Sequence, residues 1–538
     1  MTTAQNAQLS EFHECLDAPE LTQQATLARI LKQNARTVFG EAYAFCDIAT
    51  EREFRDRVPI HSYEELRPYI EREIATGRAE LCAHSPMIYA RTSGTTGKPK
   101  LVPFCAETLE AFRRIQSIST HIHEQTAPGI YSGKVLAIVS PMVEGSLSNG
   151  RPVGAMSGVL KNSLPPAIVA RSVLDDTALA ALALDAEQRF RLIAAIAVCE
   201  ADITCLASAN PSTLLRLAEV IGANFARILA LAATGDAAEL GLPDSPELSR
   251  MIAAHCSPSA ERLAELRGSG TSFETLWPRL RGAMTWTSGN CGVLLPKLAK
   301  LLSPAIPILE MGYLASEFLG TVIAEPHSNT GAPTIADNFF EFIEPAAWDA
   351  GSRDTLLLHE LTDGRHYYII ATTPDGLYRY FINDIVEVTG RLRDTATIGF
   401  VQKGKGVTSL TGEKLYEGHV IEAVRVTSAM LGLELDAFIM VADRAAFSYT
   451  LYIETKSTPD LARIALALDD ALAATNIEYA AKVRSRRLPI AAVKQVQAGT
   501  FDAARRAAIF AGQRAGQFKT ISLQYADELA FSFKEHTC

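Results

Sequence analysis

The sequence runs to 538 residues, 48% hydrophobic and 21% charged, an ordinary globular composition long enough for several domains and a large buried core. Its formal net charge of -10 argues against a general nucleic-acid binder, which needs a basic footprint. Nine singly scattered cysteines fit a reducing cytoplasm, Met1-Thr2-Thr3-Ala4-Gln5 opens no secretory signal, and no apolar run approaches the roughly 20 residues of a membrane helix.

Gln24 to Phe39 places Leu27, Ile30, Leu31 and Val38 near helical spacing, with Gly40 as the expected stop. Tyr63 to Ile70 reads as another short helix. Met87-Ile88-Tyr89-Ala90 predicts a strand, and a glycine–threonine loop follows it. His121 and His123 form a His-x-His pair, but on a helical pattern, where such neighbours point apart; no metal site is expected there. Lys134 to Ser140 reads as a buried strand, being short and apolar. The glycine-rich stretch Gly145 to Gly158, with Arg151 and Met156, fits either the border of a pocket or a structural loop. Ile168 to Leu217 carries two helical stretches, one on each side of Asp202 to Ser208. Strand-like runs at Tyr367 to Ile370 and Asp384 to Val388 alternate with helical patterns, which argues for an α/β body.

The tail differs. Phe438 to Val441 and Phe447 to Ile453 read as adjacent strands, the second with Phe447, Tyr449, Leu451 and Ile453 on one face. Leu461 to Ala474 predicts a helix, Leu488 to Val496 a strand and Phe501 to Ala511 a helix. The expected architecture is a large N-terminal α/β domain, residues 1–402, and a smaller C-terminal α+β domain, residues 403–538. The boundary falls at Gln402-Lys403-Gly404-Lys405-Gly406.

The strongest chemical signal is Thr92-Ser93-Gly94-Thr95-Thr96-Gly97-Lys98-Pro99-Lys100. Its glycines let backbone amides approach an anion, its hydroxyls can donate to phosphate oxygens, and Lys98 and Lys100 offset charge. It is not a Walker A loop: two residues separate Gly94 from Gly97, and Pro99 follows Lys98. Neither a Gly-x-Ser-x-Gly elbow nor a Rossmann Gly-x-Gly-x-x-Gly is present.

This loop resembles the phosphate loop of acyl-adenylate-forming enzymes. Further segments resemble one branch, the auxin-responsive acyl acid–amido synthetases, with affinities to bacterial members. They are Val58-Pro59-Ile60 with Tyr63 to Ile70, Met311-Gly312-Tyr313-Leu314-Ala315-Ser316-Glu317, and Gly376-Leu377-Tyr378-Arg379-Tyr380 followed by Asn383-Asp384-Ile385-Val386. Gly499-Thr500-Phe501 and Gln517-Phe518-Lys519 complete the set. Phe381-Ile382-Asn383 departs from the family, which has a more polar run ending in Gly-Asp, and Thr411-Gly412-Glu413-Lys414-Leu415 is unlike the plant pattern.

The resemblance implies ATP-dependent adenylation of a small organic acid, then acyl transfer to an amine, an amino acid by preference, giving an amide. It implies Mg2+ held by Glu317, and ATP bound by Ser93, Gly94, Thr95, Thr96 and Gly97, with Ser288 and Gly289 lining the adenine pocket. Tyr313 is expected to stack on adenine, Asp384 to accept the ribose hydroxyls, and Ser316 and Lys403 to contribute to the nucleotide site. Lys100 and Lys519 are the expected catalytic cations, Lys519 on a mobile C-terminal domain. Neither nucleic acid nor membrane is an expected partner. Two rivals stay open: coenzyme A as acceptor, giving a thioester, and a nucleotide-binding protein without catalysis.

Overall fold

The computed structural model describes residues 3–92, 99–404, 406–501, 503, 504, 507, 522–529 and 531–538, and the chain falls into two compact units. One comprises residues 1–91 and 100–402, the other residues 92–99 and 403–538. Among the described residues no helix is long and apolar enough to cross a membrane.

After an opening helix, Thr3–Asp17, the helix Pro19–Asn34 buries Gln23, Thr26, Leu27, Ile30, Leu31 and Asn34. It ends before the expected Phe39, and long-range hydrogen bonds explain why. The Asn34 side chain donates to the Pro374 carbonyl at 3.1 Å and accepts the Ala83 N–H at 2.9 Å. Thr37 then caps a separate short helix, Val38–Ala42, by accepting the Gly40 N–H at 2.9 Å. Gly40 is therefore not a stop. A Cβ there would lie 2.1 Å from the Asn34 carbonyl oxygen, so glycine allows the close approach. The next expected helix extends over Tyr63–Thr76, opened by a Ser62–Glu65 capping box and closed at Gly77 with φ +70°.

Among the described residues, three sheets build this unit. The strand Ile88–Thr92 lies between Lys100–Phe104 and Pro152–Gly154, with Gly145–Ser146 at the edge. The glycines beyond it are structural: a Cβ on Gly154 would sit 1.9 Å from the Met142 carbonyl oxygen, and one on Gly158 2.2 Å from the Met142 nitrogen. Met156 is buried in the main core, and Arg151 donates to Ser85 at 2.9 Å. The second sheet is parallel, in the order Lys134–Ala137, Ile203–Ala207, Gly282–Met284, Ile308–Leu309. The helices Ala186–Cys199 and Pro211–Thr234 flank its second strand in the sequence and share a core with it.

The third sheet has six strands in the order Phe339–Ile343, His366–Thr372, Tyr380–Leu392, Thr395–Lys403, Thr330–Pro333, Thr321–Glu325. Its first two strands and the N-terminal helices bury one continuous apolar core. Within it Arg379 and Glu341 form an ion pair, 4% and 1% exposed, with Nη2 to Oε1 at 2.8 Å.

The second unit holds a four-stranded sheet in the order Ala492–Gln495, Ser448–Glu454, Ala437–Asp443, Leu523–Tyr525. The two central strands are antiparallel and each outer one is parallel to its neighbour. The helices Glu417–Leu431 and Leu461–Thr475 share its core. Tyr449, Leu451 and Ile453 bury together as expected; Phe447 does not begin the strand, since its φ of +49° places it in the preceding turn. Glu413 organises the segment after the boundary. Its carboxylate accepts the Leu410 and Thr411 N–H groups and the Tyr449 hydroxyl, at 2.7, 2.8 and 2.7 Å. The expected helix from Phe501 lies partly outside the described residues.

Removing one partner of a buried pair strands the other charge without water. Glu341→Ala is therefore expected to cost about 3–5 kcal/mol, read as a lowered midpoint in urea or thermal unfolding. The double variant Glu341→Leu/Arg379→Met is expected to lose less than the single one.

Candidate functional site

Three of the sequence segments singled out converge on one buried hydroxyl. Lys100, the first residue of its strand, donates from Nζ to the Tyr380 Oη at 3.1 Å, and that hydroxyl donates to Glu317 Oε1 at 3.1 Å. The direct Lys100–Glu317 separation is 3.9 Å, and all three side chains are buried. The ammonium also lies 5.4 Å from the Tyr63 ring centre and 5.8 Å from that of Tyr380. Tyr63 in turn fixes the strand: its hydroxyl accepts the Leu101 N–H at 2.6 Å and donates to the Leu101 carbonyl at 3.0 Å.

Glu317 reaches this cluster from a tight hairpin. Leu314 and Leu319 form an antiparallel bridge, and the Ala315 N–H bonds the Phe318 carbonyl, which leaves half-buried Ser316 and buried Glu317 at the tip. Tyr313, just before the hairpin, donates its hydroxyl to Asp384 Oδ2 at 2.7 Å. Burial, then the Asp384 charge and more weakly Glu317, hold the Tyr313 hydroxyl far above the usual phenol range. Its ring stacks on Phe400, centres 5.9 Å apart and planes at 13°, and a Cβ on Gly320 would fall 2.2 Å from it. Phe400 thus covers one face of the ring.

Asp384 owes its direction to a bulge. The ladder between His366–Thr372 and Tyr380–Leu392 pairs Tyr368 with Ile385 but Ile370 with Phe381, so three residues oppose one. Within the bulge Asn383 adopts φ +62°, in the left-handed region that glycine enters freely and asparagine tolerates best among other residues. Asparagine therefore holds a conformation here that most other side chains would strain.

The Ser288–Gly289 segment is placed by a residue that the sequence reading missed. Glu310 accepts the Thr287 N–H and hydroxyl on Oε2, at 2.7 and 2.5 Å, and the Met311 and Gly312 N–H groups on Oε1, at 2.9 and 3.0 Å. One carboxylate thus joins Thr287, beside Ser288 and Gly289, to the segment that carries Tyr313. An acid directly before the Met311-Gly312 motif was the signal available. The Glu310 carbonyl accepts His123 Nε2–H at 2.8 Å, so His123 is a packing residue; the His-x-His pair joins no metal-compatible cluster among the described residues. Lys403 ends its strand and is buried. Ser93, Gly94, Thr95, Thr96, Gly97 and Lys519 lie outside the described residues.

Chemically, the described cluster offers a hard carboxylate oxygen, a buried cation beside it and a second carboxylate at the bulge. That set suits a polyanion accompanied by a hard divalent ion.

Comparison with known proteins accounts for these segments together. The chain matches the GH3 family N-terminal domain over residues 8–308, its central domain over 332–403 and its C-terminal domain over 418–526. It is 27% identical to the indole-3-acetic acid-amido synthetase GH3.8 of Oryza sativa subsp. indica, over 93% of this chain and 87% of that one. It is 24% identical to the 4-substituted benzoates-glutamate ligase GH3.12 of Arabidopsis thaliana, over 92% and 91%. In fold it resembles the GH3.15 acyl acid amido synthetase, with a TM-score of 0.65, 22% identity and coverage of 99% and 96%.

Burial holds the His123 pKa down at about 4, against 6.5 for a free imidazole. The unfolded chain therefore takes up a proton near pH 6.5 that the folded chain refuses until about pH 4. Stability is expected to fall as pH drops through that window, by about 3 kcal/mol at the limit. Urea unfolding across this range is expected to show a slope smaller by about one proton in His123→Gln.

Proposed function

The chain belongs to the GH3 family, and from that premise we propose that it joins a small organic carboxylic acid to an amino acid in two steps driven by ATP. The acid and ATP give an acyl-adenylate and pyrophosphate; the amine then attacks the acyl carbon, forming the amide and releasing AMP. The relatives named as amido synthetases and as a benzoates–glutamate ligase support this acid and acceptor class. The observation that carries the reading is the convergence of Lys100 and Glu317, from two separate motifs, on the Tyr380 hydroxyl.

The difficulty of the first step is electrostatic, because a carboxylate must approach the α-phosphate of a polyanion. Lys100 supplies a positive charge whose direction is set in advance by Tyr380 and Tyr63, so little reorganisation is needed as charge develops. The loop Ser93 to Gly97 supplies amides and hydroxyls to the phosphates. Mg2+ fits the hard oxygen donor of Glu317 and, when bound, would offset phosphate charge. Asp384 accepts the ribose hydroxyls; its Oδ2 already holds the Tyr313 hydroxyl, which fixes the carboxylate plane. Tyr313, Ser288 and Gly289 border the base, and Ser316 and Lys403 complete the nucleotide surroundings. Lys519, on a C-terminal domain of residues 403–538, serves the adenylation step. We place the protein in the cytoplasm.

The deciding experiment supplies ATP, a panel of aryl, cyclic and short organic acids, and either mixed amino acids or coenzyme A, with products read by mass spectrometry. AMP and an N-acyl amino acid are expected. An acyl-CoA without amide would overturn the acceptor, and no pyrophosphate exchange with any acid would overturn adenylation. Asp384→Ala is expected to raise the KM for ATP roughly five- to 150-fold, the equivalent of about 1–3 kcal/mol for unpaired ribose hydroxyls. 2′-Deoxy-ATP should be a poor substrate for the wild type and lose that handicap in the variant. Tyr313→Phe, which removes only the internal hydrogen bond, should keep the discrimination.

A further inference from the structure

We propose that Cys82, Cys105 and Asp375 form a zinc site that staples the base of the hairpin carrying the Thr92–Lys100 loop to the turn before Gly376. The Cys82 and Cys105 sulfurs are 3.4 Å apart, and both lie within 4.8 Å of an Asp375 carboxylate oxygen. All three side chains are buried, and they come from three segments. Cys82 precedes the strand Ile88–Thr92, Cys105 directly follows Lys100–Phe104, and Asp375 precedes the Gly376 turn. These segments press together, since a Cβ on Gly376 would lie 2.4 Å from the Leu81 Cβ.

Donor chemistry and geometry select the ion. Two thiolates and one carboxylate are ligands that zinc accepts, and bonds of about 2.3 Å at a tetrahedral angle hold two sulfurs about 3.8 Å apart. The observed pair needs to open by only about 0.4 Å. A disulfide would require closure to about 2.05 Å, a displacement more than three times larger. Asp375 is a buried carboxylate with no ion-pair partner among the described residues; its backbone partner is the Cys105 N–H at 3.2 Å. A dication between the three groups supplies the missing positive charge. Cys105 is also the N-cap of the 21-residue helix Ala106–Thr126. The His84 carbonyl, 3.1 Å from the Cys105 sulfur, stands ready as a further oxygen donor. Ala83, His84 and Ser85, next to Cys82, are exposed and give the ion a short route from solvent.

Binding is an exchange without redox change: Zn2+ enters, the two S–H bonds break, their electron pairs form two Zn–S bonds, and two protons leave to solvent. Cys199 and Cys256 also adjoin, but no carboxylate joins them in a metal-compatible group among the described residues, so they serve as an internal control.

The test takes the reduced, chelator-treated full chain and titrates it with Co2+. Sulfur-to-cobalt charge-transfer absorption is expected to saturate at one equivalent and to be displaced by one equivalent of Zn2+. Cys82→Ser and Cys105→Ser should abolish it, Cys256→Ser should retain it, and Asp375→Asn should need roughly tenfold more cobalt. In the wild type, without any variant, Zn2+ should protect two thiols from a disulfide reagent and raise the thermal midpoint. Absence of the charge-transfer band from folded wild type, or its persistence in both Cys82→Ser and Cys105→Ser, would overturn the site. So would a loss of two thiols reversed by dithiothreitol but not by chelator, which would assign a disulfide instead.

Discussion

A single guanidinium holds the candidate site of the larger unit in register. Arg379 Nε and Nη2 grip the Glu341 carboxylate, while Nη1 donates to the carbonyls of Arg55 and Val58, both at 2.7 Å. Its own carbonyl accepts the His61 N–H at 2.9 Å, and Phe381 returns an N–H to the His61 carbonyl at 2.9 Å. A planar fork with five donors can bind a carboxylate and two carbonyls at once; lysine cannot. The stretch before the Tyr63 helix and the Gly376-to-Tyr380 motif, over 300 residues apart, are thereby two halves of one contact.

That contact sets what lies on either side of it. Tyr378 drives its hydroxyl onto the Leu81 carbonyl at 2.6 Å and stacks on Phe39, centres 4.7 Å apart. Tyr380, two residues on, carries its hydroxyl to Lys100 and Glu317. The residue between them has φ +44°, an unfavourable conformation for arginine that the surrounding bonds over-determine. Three residues further, the Asn383 bulge turns Asp384 toward Tyr313. A short segment thus supplies a structural clamp, an ion pair, a bridging hydroxyl and a carboxylate, each directed by the backbone of the one before it.

Much of this was legible in the chain alone. The Lys134 strand, the two helical stretches on either side of Asp202 to Ser208, and the adjacent strands beginning near Phe438 follow from local apolar spacing, which acts over a few residues. Lys100, Tyr313, Glu317 and Asp384 stood out as candidates through motif type, since a polyanion requires cations, carboxylates and close backbone. Three features were misread or missed, two because their causes are distant in sequence and the third because a local turn overrode the apolar alternation. The helix from Pro19 stops where Pro374 and Ala83 capture Asn34; Glu310 binds Thr287 across a sheet; Phe447 yields to a turn anchored by Asp443, which accepts the Ala445 and Ala446 N–H groups at 2.9 Å each.

The sequence by itself determined the class of the elements, the α/β order of the body, the family and the residue types of the candidate site, because periodicity and short motifs are local properties. Only the tertiary structure decided which of those residues meet. Tyr380 became the bridge between Lys100 and Glu317 and Arg379 the clamp, although both stand in one motif, because Arg379 lies before the strand at φ +44° while Tyr380 is the strand's first residue, and the two side chains meet different partners. Cys82 and Cys105, spaced like no metal motif, were brought to 3.4 Å because the strands between them fold back as a hairpin. Contacts made across hundreds of residues depend on how whole elements pack, and no window of the chain contains that information.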